Sequence, residues 1–261
     1  MQLPVPVGGN LLPGPLGSAL AAAGGGRSLI TYYDDATGDR VDLSAAMLTA
    51  WATRTANLLV TGCGIEPGGH VAMLLPAHWQ TAAVLLGAWS AGASVDVRLA
   101  ATVGLPQVGP GANRPVDAVF AALSRIADLV EVVPAAPARF ALGPAAVARP
   151  LRQLPAGYRD FMVEAAGHDH TSHPTVSIGG ADAATGDGTS YREWGALASA
   201  LADRWGLRPG DRVLIDAATH DHPVWWLLAP LSAGATVVLC ANLDPAVVPA
   251  RSRAERVTRV L

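Results

Sequence analysis

Two stretches of the chain carry the same order of apolar and polar positions. Residues 65–97 and 207–239 align without a gap at a single offset of 142 residues. Each opens on Pro-Gly (Pro67-Gly68 and Pro209-Gly210), the composition of a tight turn. A short apolar run follows, at 71–75 and at 213–215, and reads as a buried strand. Apolar residues at helical spacing come next, from about residue 77 to 90 and from about 221 to 232. Both stretches close on Ala-Gly-Ala, whose glycine (Gly92, Gly234) suits a left-handed helix stop. A second apolar run, from Val95 and from Thr236, completes each copy. The unit predicted is β-α-β, with parallel strands and a right-handed crossover. His78 meets His220 at the shared offset, and Leu85-Leu86 meets Leu227-Leu228. Duplication explains the ungapped match better than convergence on a common grammar, although the identities are few.

An amphipathic helix precedes each unit. Ser44 is placed to cap the first, which runs to about residue 60 with Leu48, Trp51, Thr55 and Leu58 on one face. Thr189 or Ser190 is placed to cap the second, with Trp194, Leu197, Leu201 and Trp205 on one face. Residues 29–33 and 40–43 read as a hairpin around Ala-Thr-Gly-Asp. Residues 116–120 and 129–133 read as two further strands with a short helix between them, and 134–157 as irregular, being rich in Pro and Ala. The expected organisation is an N-terminal lead with a short helix (1–27), a first α/β lobe (28–133), an irregular connection (134–174) and a second α/β lobe (175–261). The fold class expected is α/β: two packed lobes with mainly parallel sheets flanked by helices.

Composition narrows the chemistry. Of the 261 residues, 51% are hydrophobic and 15% charged, which fits a packed globular chain and not a disordered one. The net charge of −3 offers no basic footprint for nucleic acid. All 18 basic residues are arginine. Codon bias accounts for that trend, but its consequence stands: no side-chain amine is present to act as a nucleophile or as a compact phosphate cation. Cys63 and Cys240 form no zinc or redox motif and read as small buried apolar residues. The N-terminal segment lacks an early positive charge, and Pro and Gly break its apolar run, so it reads poorly as a signal peptide. Residues 71–95 read as a buried strand–helix–strand and not as a membrane span. A cytoplasmic location is the expectation.

Several motifs together resemble the N-terminal region of the adenylate-forming superfamily, which includes the acyl-CoA synthetases, peptide-synthetase adenylation domains and luciferases. In the first half these are Asp42-Leu43-Ser44, Pro67-Gly68-Gly69-His70-Val71, Leu75-Pro76-Ala77-His78 and Trp89-Ser90-Ala91-Gly92-Ala93. In the second half they are Pro209-Gly210-Asp211-Arg212-Val213, the turn bearing His220, and Leu231 to Ala235. The resemblance covers roughly residues 28–100 and 175–261, with both pieces in the family's order. The chain is also similar to a short family of adenylating-enzyme-like proteins from high-GC bacteria, a resemblance that assigns no activity. The superfamily implies the fold of an N-terminal domain and, as ligand classes, a nucleotide (AMP or ATP) or an acyl group.

The departures weigh against the reaction. The superfamily's phosphate loop reads Thr-Ser-Gly-Thr-Thr-Gly-x-Pro-Lys-Gly and wraps phosphate with backbone N–H groups, hydroxyls and a lysine. The matching segment, 179–194, keeps a turn at Thr185-Gly186, a glycine at Gly188 and hydroxyls at Thr189-Ser190, but lacks the proline and the lysine. Asp182 and Asp187 would oppose phosphate. The magnesium motif, the ribose-binding aspartate and the C-terminal catalytic lobe of the family find no counterpart within these residues. The resemblance therefore implies a degenerate nucleotide site at Thr185, Gly186, Gly188, Thr189, Ser190 and His220, with no catalytic residue and no metal ligand. The expected role is binding or regulation, with adenylation chemistry lost. An interaction subunit, mating with itself or another protein through an apolar face, is the alternative. A third reading is an enzyme of another class using His168, Asp169, His170 and His173, whose spacing also suits zinc or nickel, although flanking Gly167 and Pro174 favour a polar loop. No Gly-x-Ser-x-Gly elbow occurs, and Gly24-Gly25-Gly26 is not a dinucleotide fingerprint. The adjacent Trp225 and Trp226 should point about 100° apart on a helix, one into the core. An aromatic ligand platform is the alternative use of the tryptophans.

Overall fold

The computed structural model describes residues 28–143, 150–174 and 176–261. The expected lead and short helix at 1–27 lie outside those residues. Strands β1 (Ser28–Asp34) and β2 (Asp39–Ser44) form a hairpin, and α1 (Ala45–Asn57) continues into a π-helical turn (Leu58–Gly62). Then come β3 (His70–Leu74), α2 (Trp79–Ser90), β4 (Ser94–Val97), β5 (Ala118–Ala122) and α3 (Leu123–Ile126). They are followed by β6 (Ala138–Leu142), β7 (Arg159–Asp160) and α4 (Phe161–Ala166). The second half has α5 (Tyr191–Arg204), β8 (Arg212–Asp216), a π-helical turn (Val224–Leu228) running into α6 (Ala229–Ser232), β9 (Thr236–Ala241), α7 (Val248–Glu255) and β10 (Arg259–Val260).

The repeated unit folds alike in both copies. Gly68 and Gly210 both take φ of +86°, and Gly92 and Gly234 take +75° and +68°, the left-handed conformations glycine adopts freely. Gly68 N–H donates to Gly92 O at 2.8 Å, and Gly210 N–H to Gly234 O at 3.0 Å. Strands β3/β4 and β8/β9 are parallel pairs. The copies differ in the helix. Pro230 lacks the N–H that would continue an α-helical ladder, and the second copy is π-helical before it.

The strands form two sheets, ordered β10-β8-β9-β1-β2 and β4-β3-β5-β6-β7, parallel except for the β1/β2 hairpin. The main core lies between them. It takes Val71 and Met73 from one sheet, Val213, Ile215 and Val237 from the other, and the buried faces of α1 and α2. The alternate strand residues (Ala72, Leu74, Val119; Leu214, Val238, Cys240) face smaller outer clusters. Cys240 is buried, as expected, and Cys63 is partly exposed. Among the described residues, no helix is long and apolar enough to cross a membrane.

Three expectations are corrected. The hairpin does not belong with β3 and β4: β1 pairs with β9, so the expected first lobe, 28–133, is divided between the sheets. Leu29 to Tyr32 are all buried, and a strand covered on both faces sits inside a sheet. Residues 129–133 are not a strand; Leu129, Val130 and Val132 are exposed, and the strand is β6. The connection expected to be irregular, 134–174, contains β6, β7 and α4. On α5 the expected Trp194, Leu201 and Trp205 pack partly buried against the core, but the fully buried positions lie beside them. Tyr191, Gly195, Ala198 and Ala202 are buried while Leu197 is exposed, because small residues let the helix lie close to its neighbours. Trp226 is fully buried and Trp225 only partly so, as the helical geometry predicts.

Candidate ligand cleft

A cleft of about 710 Å³ opens beyond the carboxyl end of β4. That size suits a small ligand, and the carboxyl ends of parallel strands are where open α/β sheets bind ligands. A second cavity, about 720 Å³, lies at the amino ends of β3, β5 and β6 against Gly62 to Gly69. It is the less suited of the two by the same rule. The first cleft is lined by Asp96, Arg98, Gln107, Arg125, Glu131, Thr185, Asp187, Trp194 and His222, with Val95, Val97, Leu105, Pro106 and Val132 as apolar wall.

The degenerate loop forms one side of this cleft, and its shape follows from its own hydrogen bonds. Ala184 O accepts from Val95 N–H at 2.9 Å and from the Trp89 indole N–H at 2.8 Å, which ties the loop to the free edge of β4. Ala184 N–H donates to Thr189 O at 2.8 Å and Gly188 N–H to Thr185 O at 3.0 Å, closing the turn. Ser190 caps α5 in a reciprocal box with Glu193. Gly186 is pressed against the side chains of β3 and β4: a Cβ there would collide with Asp96 Oδ1 and crowd His70 Nε2.

Of the loop's remaining donors, several are taken by carboxylates. Asp187 accepts from the Thr185 hydroxyl at 2.6 Å and from Thr189 N–H at 3.0 Å. Asp96 accepts from Gly186 N–H at 3.1 Å, with His70 Nε2 at 2.9 Å on its other oxygen. Asp182 accepts from Gly179 N–H at 2.7 Å. Asp187 and Asp96 are both shifted downward. The Thr185 hydroxyl and Thr189 N–H hold Asp187 below the usual carboxylate range. Burial alone would raise Asp96, but His70, Gly186 N–H and Gln107 outweigh it and hold it low.

A depressed folded pKa contributes stability that is present above the unfolded value, about 4 for Asp, and lost as the pH falls through the folded value. Asp187→Ala is therefore expected to lower the urea midpoint at neutral pH, with the gap to the parent protein narrowing towards about pH 3. A gap that stays constant over that range would show that the charge of Asp187 contributes nothing to the loop.

The residues expected at the site separate. Thr185 lines the cleft; Gly186 is its seat on Asp96; Gly188 and Thr189 form the turn; Ser190 serves the helix. His220 is not among the lining residues. Its ring lies edge-on to Trp205 and Trp225, at centroid distances of 6.1 and 5.7 Å. His222 takes the position instead, stacked on Trp194 at 5.5 Å and 10° between planes. It also accepts from Val224 N–H, as His78 accepts from Gln80 N–H at the start of α2. Offset alone pairs His78 with His220, while the capping role pairs it with His222, and a His-x-x helix start was the signal available in the sequence. Asp96, Arg98 and Gln107 carried no motif.

The His168–His173 cluster is spread along α1. His173 meets the Thr53 hydroxyl at 3.1 Å, His170 meets Arg54, and His168 meets Thr61, while Asn57 donates to Asp169 O and Ser172 O. These contacts fasten a loop to a helix. Among the described residues, no group of three His, Cys, Asp or Glu side chains is arranged to hold a metal. Arg192 lies beside Gly180, outside the cleft lining, and Arg204 stands at the far end of α5, roughly 20 Å along the helix axis.

Comparison with known proteins gives a consistent result. A TIGR03089 family protein of Mycobacterium tuberculosis (strain ATCC 25618 / H37Rv) is 39% identical over 239 residues, covering 89% of this chain and 90% of its own length. No family model matches the chain. Among solved structures, an acyl-CoA synthetase of Brucella canis superposes with a TM-score of 0.71 at 23% identity, over 96% of this chain and 48% of that one. The N-terminal domain of FACL13 from Mycobacterium tuberculosis superposes with a TM-score of 0.62 at 19% identity, over 94% of this chain and 62% of that one. The chain thus spans about half the length of that synthetase, and at these identities the likeness is one of fold.

Proposed function

Because this chain belongs to the TIGR03089 family and has the α/β fold of the N-terminal domain of adenylate-forming enzymes, we propose that it binds a small acyl-type ligand in the cleft and acts as a binding or regulatory protein without adenylating that ligand. One observation carries the proposal. In the segment that matches the phosphate loop, the N–H groups of Gly179, Gly186 and Thr189 and the Thr185 hydroxyl are bonded to Asp96, Asp182 and Asp187. An incoming polyphosphate would meet ionised carboxylates where it needs donors. No lysine among the 261 residues offsets them. The apolar wall, with Trp194 and His222 stacked beside it, suits an acyl body better than a triphosphate.

Thermal-shift titration tests the reading. A ligand at about 100 times its dissociation constant stabilises a fold by about 2.7 kcal/mol. Short acyl compounds such as hexanamide are expected to give a saturable rise in melting temperature, and ATP or AMP with Mg²⁺ none at millimolar concentration. A saturable rise with the nucleotides would replace this reading with nucleotide binding.

A specific observation supports an interaction role as a second reading. Leu105, Val108, Leu129, Val130 and Val132 are all exposed on neighbouring loops at the mouth of the cleft. Sedimentation at micromolar concentration decides it: a dimer lost on Leu129→Asp substitution supports that reading, and a monomer opposes self-association.

A further inference from the structure

Gln107 stands between Asp96 and Arg98 in the lining of the cleft. Arg98 donates through one terminal nitrogen to Gln107 Oε1 at 2.8 Å, and Gln107 Nε2 lies 3.5 Å from Asp96 Oδ2. The amide thus offers its acceptor to the base and its donor to the acid. Asp96 is also held by Gly186 N–H and His70, but Arg98 is not otherwise fully served. The other terminal nitrogen of Arg98 reaches only the Val132 carbonyl, at 3.3 Å, and its Nε is buried with no hydrogen-bond partner among the described residues. Arg125, the neighbouring cation, is committed to Glu131.

Gln107 sits on a segment with the features of a strap. Gly104, Gly109 and Gly111 have φ of +75°, +101° and +81°, which places backbone available chiefly to glycine on either side of it. Gly104 and Gly111 lie close against Val130 and the Gly186 carbonyl, but Leu105 and Val108 between them are apolar and exposed, so the middle of the segment spends little of its surface on packing. A segment held by few buried contacts is the part of a fold that opens at low cost.

We propose that residues 104–111 form a displaceable strap whose Gln107 amide stands in for the head group of the ligand, and that the ligand of the cleft carries a neutral primary amide, or an equivalent neighbouring donor and acceptor, on an apolar body. The proposal rests on the cleft being the ligand site and adds the class of head group. An ionised carboxylate could accept from Arg98 but would lie against Asp96, with Asp187 and Glu131 also lining the space. An amide repeats the bonds that Gln107 makes and so lets the strap move off Asp96 and Arg98.

The test is an NMR titration of the full chain with hexanamide and with hexanoate, read on the Trp194 indole N–H, which donates to Thr185 in the cleft wall. Gln107→Ala and Gln107→Asn, whose amide is too short to span the pair, are compared with the parent protein. Hexanamide is expected to bind the parent weakly and both variants about tenfold more tightly, with hexanoate weaker throughout. Equal affinity of hexanamide for parent and variants overturns the strap. Hexanoate binding as tightly as hexanamide overturns the head group while leaving the cleft as a ligand site. No response of parent or variants to either compound removes the cleft reading itself, and this proposal with it.

Discussion

Trp89→Ala is expected to destabilise the protein by about 3–5 kcal/mol, the range for removing a large aromatic from a packed core. The ring is 2% exposed and meets the edge of Tyr191 at 5.7 Å, and its indole N–H bonds Ala184 O at 2.8 Å. Tyr191 returns the link, donating from its hydroxyl to Trp89 O at 3.2 Å. The substitution thus opens a cavity between α2 and α5 and also removes one of the two bonds on Ala184 O of the degenerate loop, leaving only that from Val95 on β4. Trp89→Phe separates the two effects. It keeps most of the volume and gives up the hydrogen bond, for a cost of about 1–2 kcal/mol. Urea unfolding measures both variants, and the Trp194 indole signal reports the loop. A loss below about 1 kcal/mol for the alanine variant would mean that Trp89 is not the anchor described.

Gly87→Leu is the second large effect. Helices α1 and α2 cross at their closest where Gly87 faces Thr55 and the Ala52 carbonyl, and a Cβ at Gly87 would already collide with both. Ala52, Thr55 and Ala56 are fully buried, so the opposite helix has no flexible side chain to move aside. Adding a leucine forces the helices apart, at an expected cost of about 3 kcal/mol. For a chain of this size that is a melting temperature lower by roughly 6–12 °C. Removing a helical glycine is worth about 1 kcal/mol in the opposite direction and does not offset the clash. An unchanged or higher melting temperature would show that the helices do not meet there.

Local grammar was the readable part of this sequence. The turns at Pro67-Gly68 and Pro209-Gly210, the stops at Gly92 and Gly234 and the cap at Ser44 each depend on a few adjacent residues, and each formed where the pattern placed it. Partner choice was not readable. Nothing within 28–44 says that β1 will lie against β9, some two hundred residues later, because a parallel pairing leaves no turn between its strands. On α5 the large residues at helical spacing do pack against the core, apart from exposed Leu197, but the fully buried positions are Tyr191 and the small Gly195, Ala198 and Ala202, which periodicity did not single out. Residues 129–133 have a strand's composition, but Leu129, Val130 and Val132 stand exposed at the cleft mouth.

The site was half readable. Its loop could be found from Thr185-Gly186 and the missing lysine, and the charges of Asp182 and Asp187 argued against phosphate before any geometry was known. What the loop leans on could not be found that way. Asp96, His70 and Gln107 come from separate segments and meet only in the folded chain. His222 was displaced by His220 because alignment in register hides a two-residue shift in the capping role.

The central claim is that this fold keeps a ligand cleft whose phosphate donors are occupied by the protein's own carboxylates. Calorimetric titration of the full chain with ATP and Mg²⁺ at low salt tests it most directly, since screening cannot then mask an ionic site. The account predicts no saturable heat up to millimolar nucleotide. A one-to-one isotherm with a micromolar dissociation constant would contradict it and would mean that Asp96 and Asp187 yield the loop to phosphate.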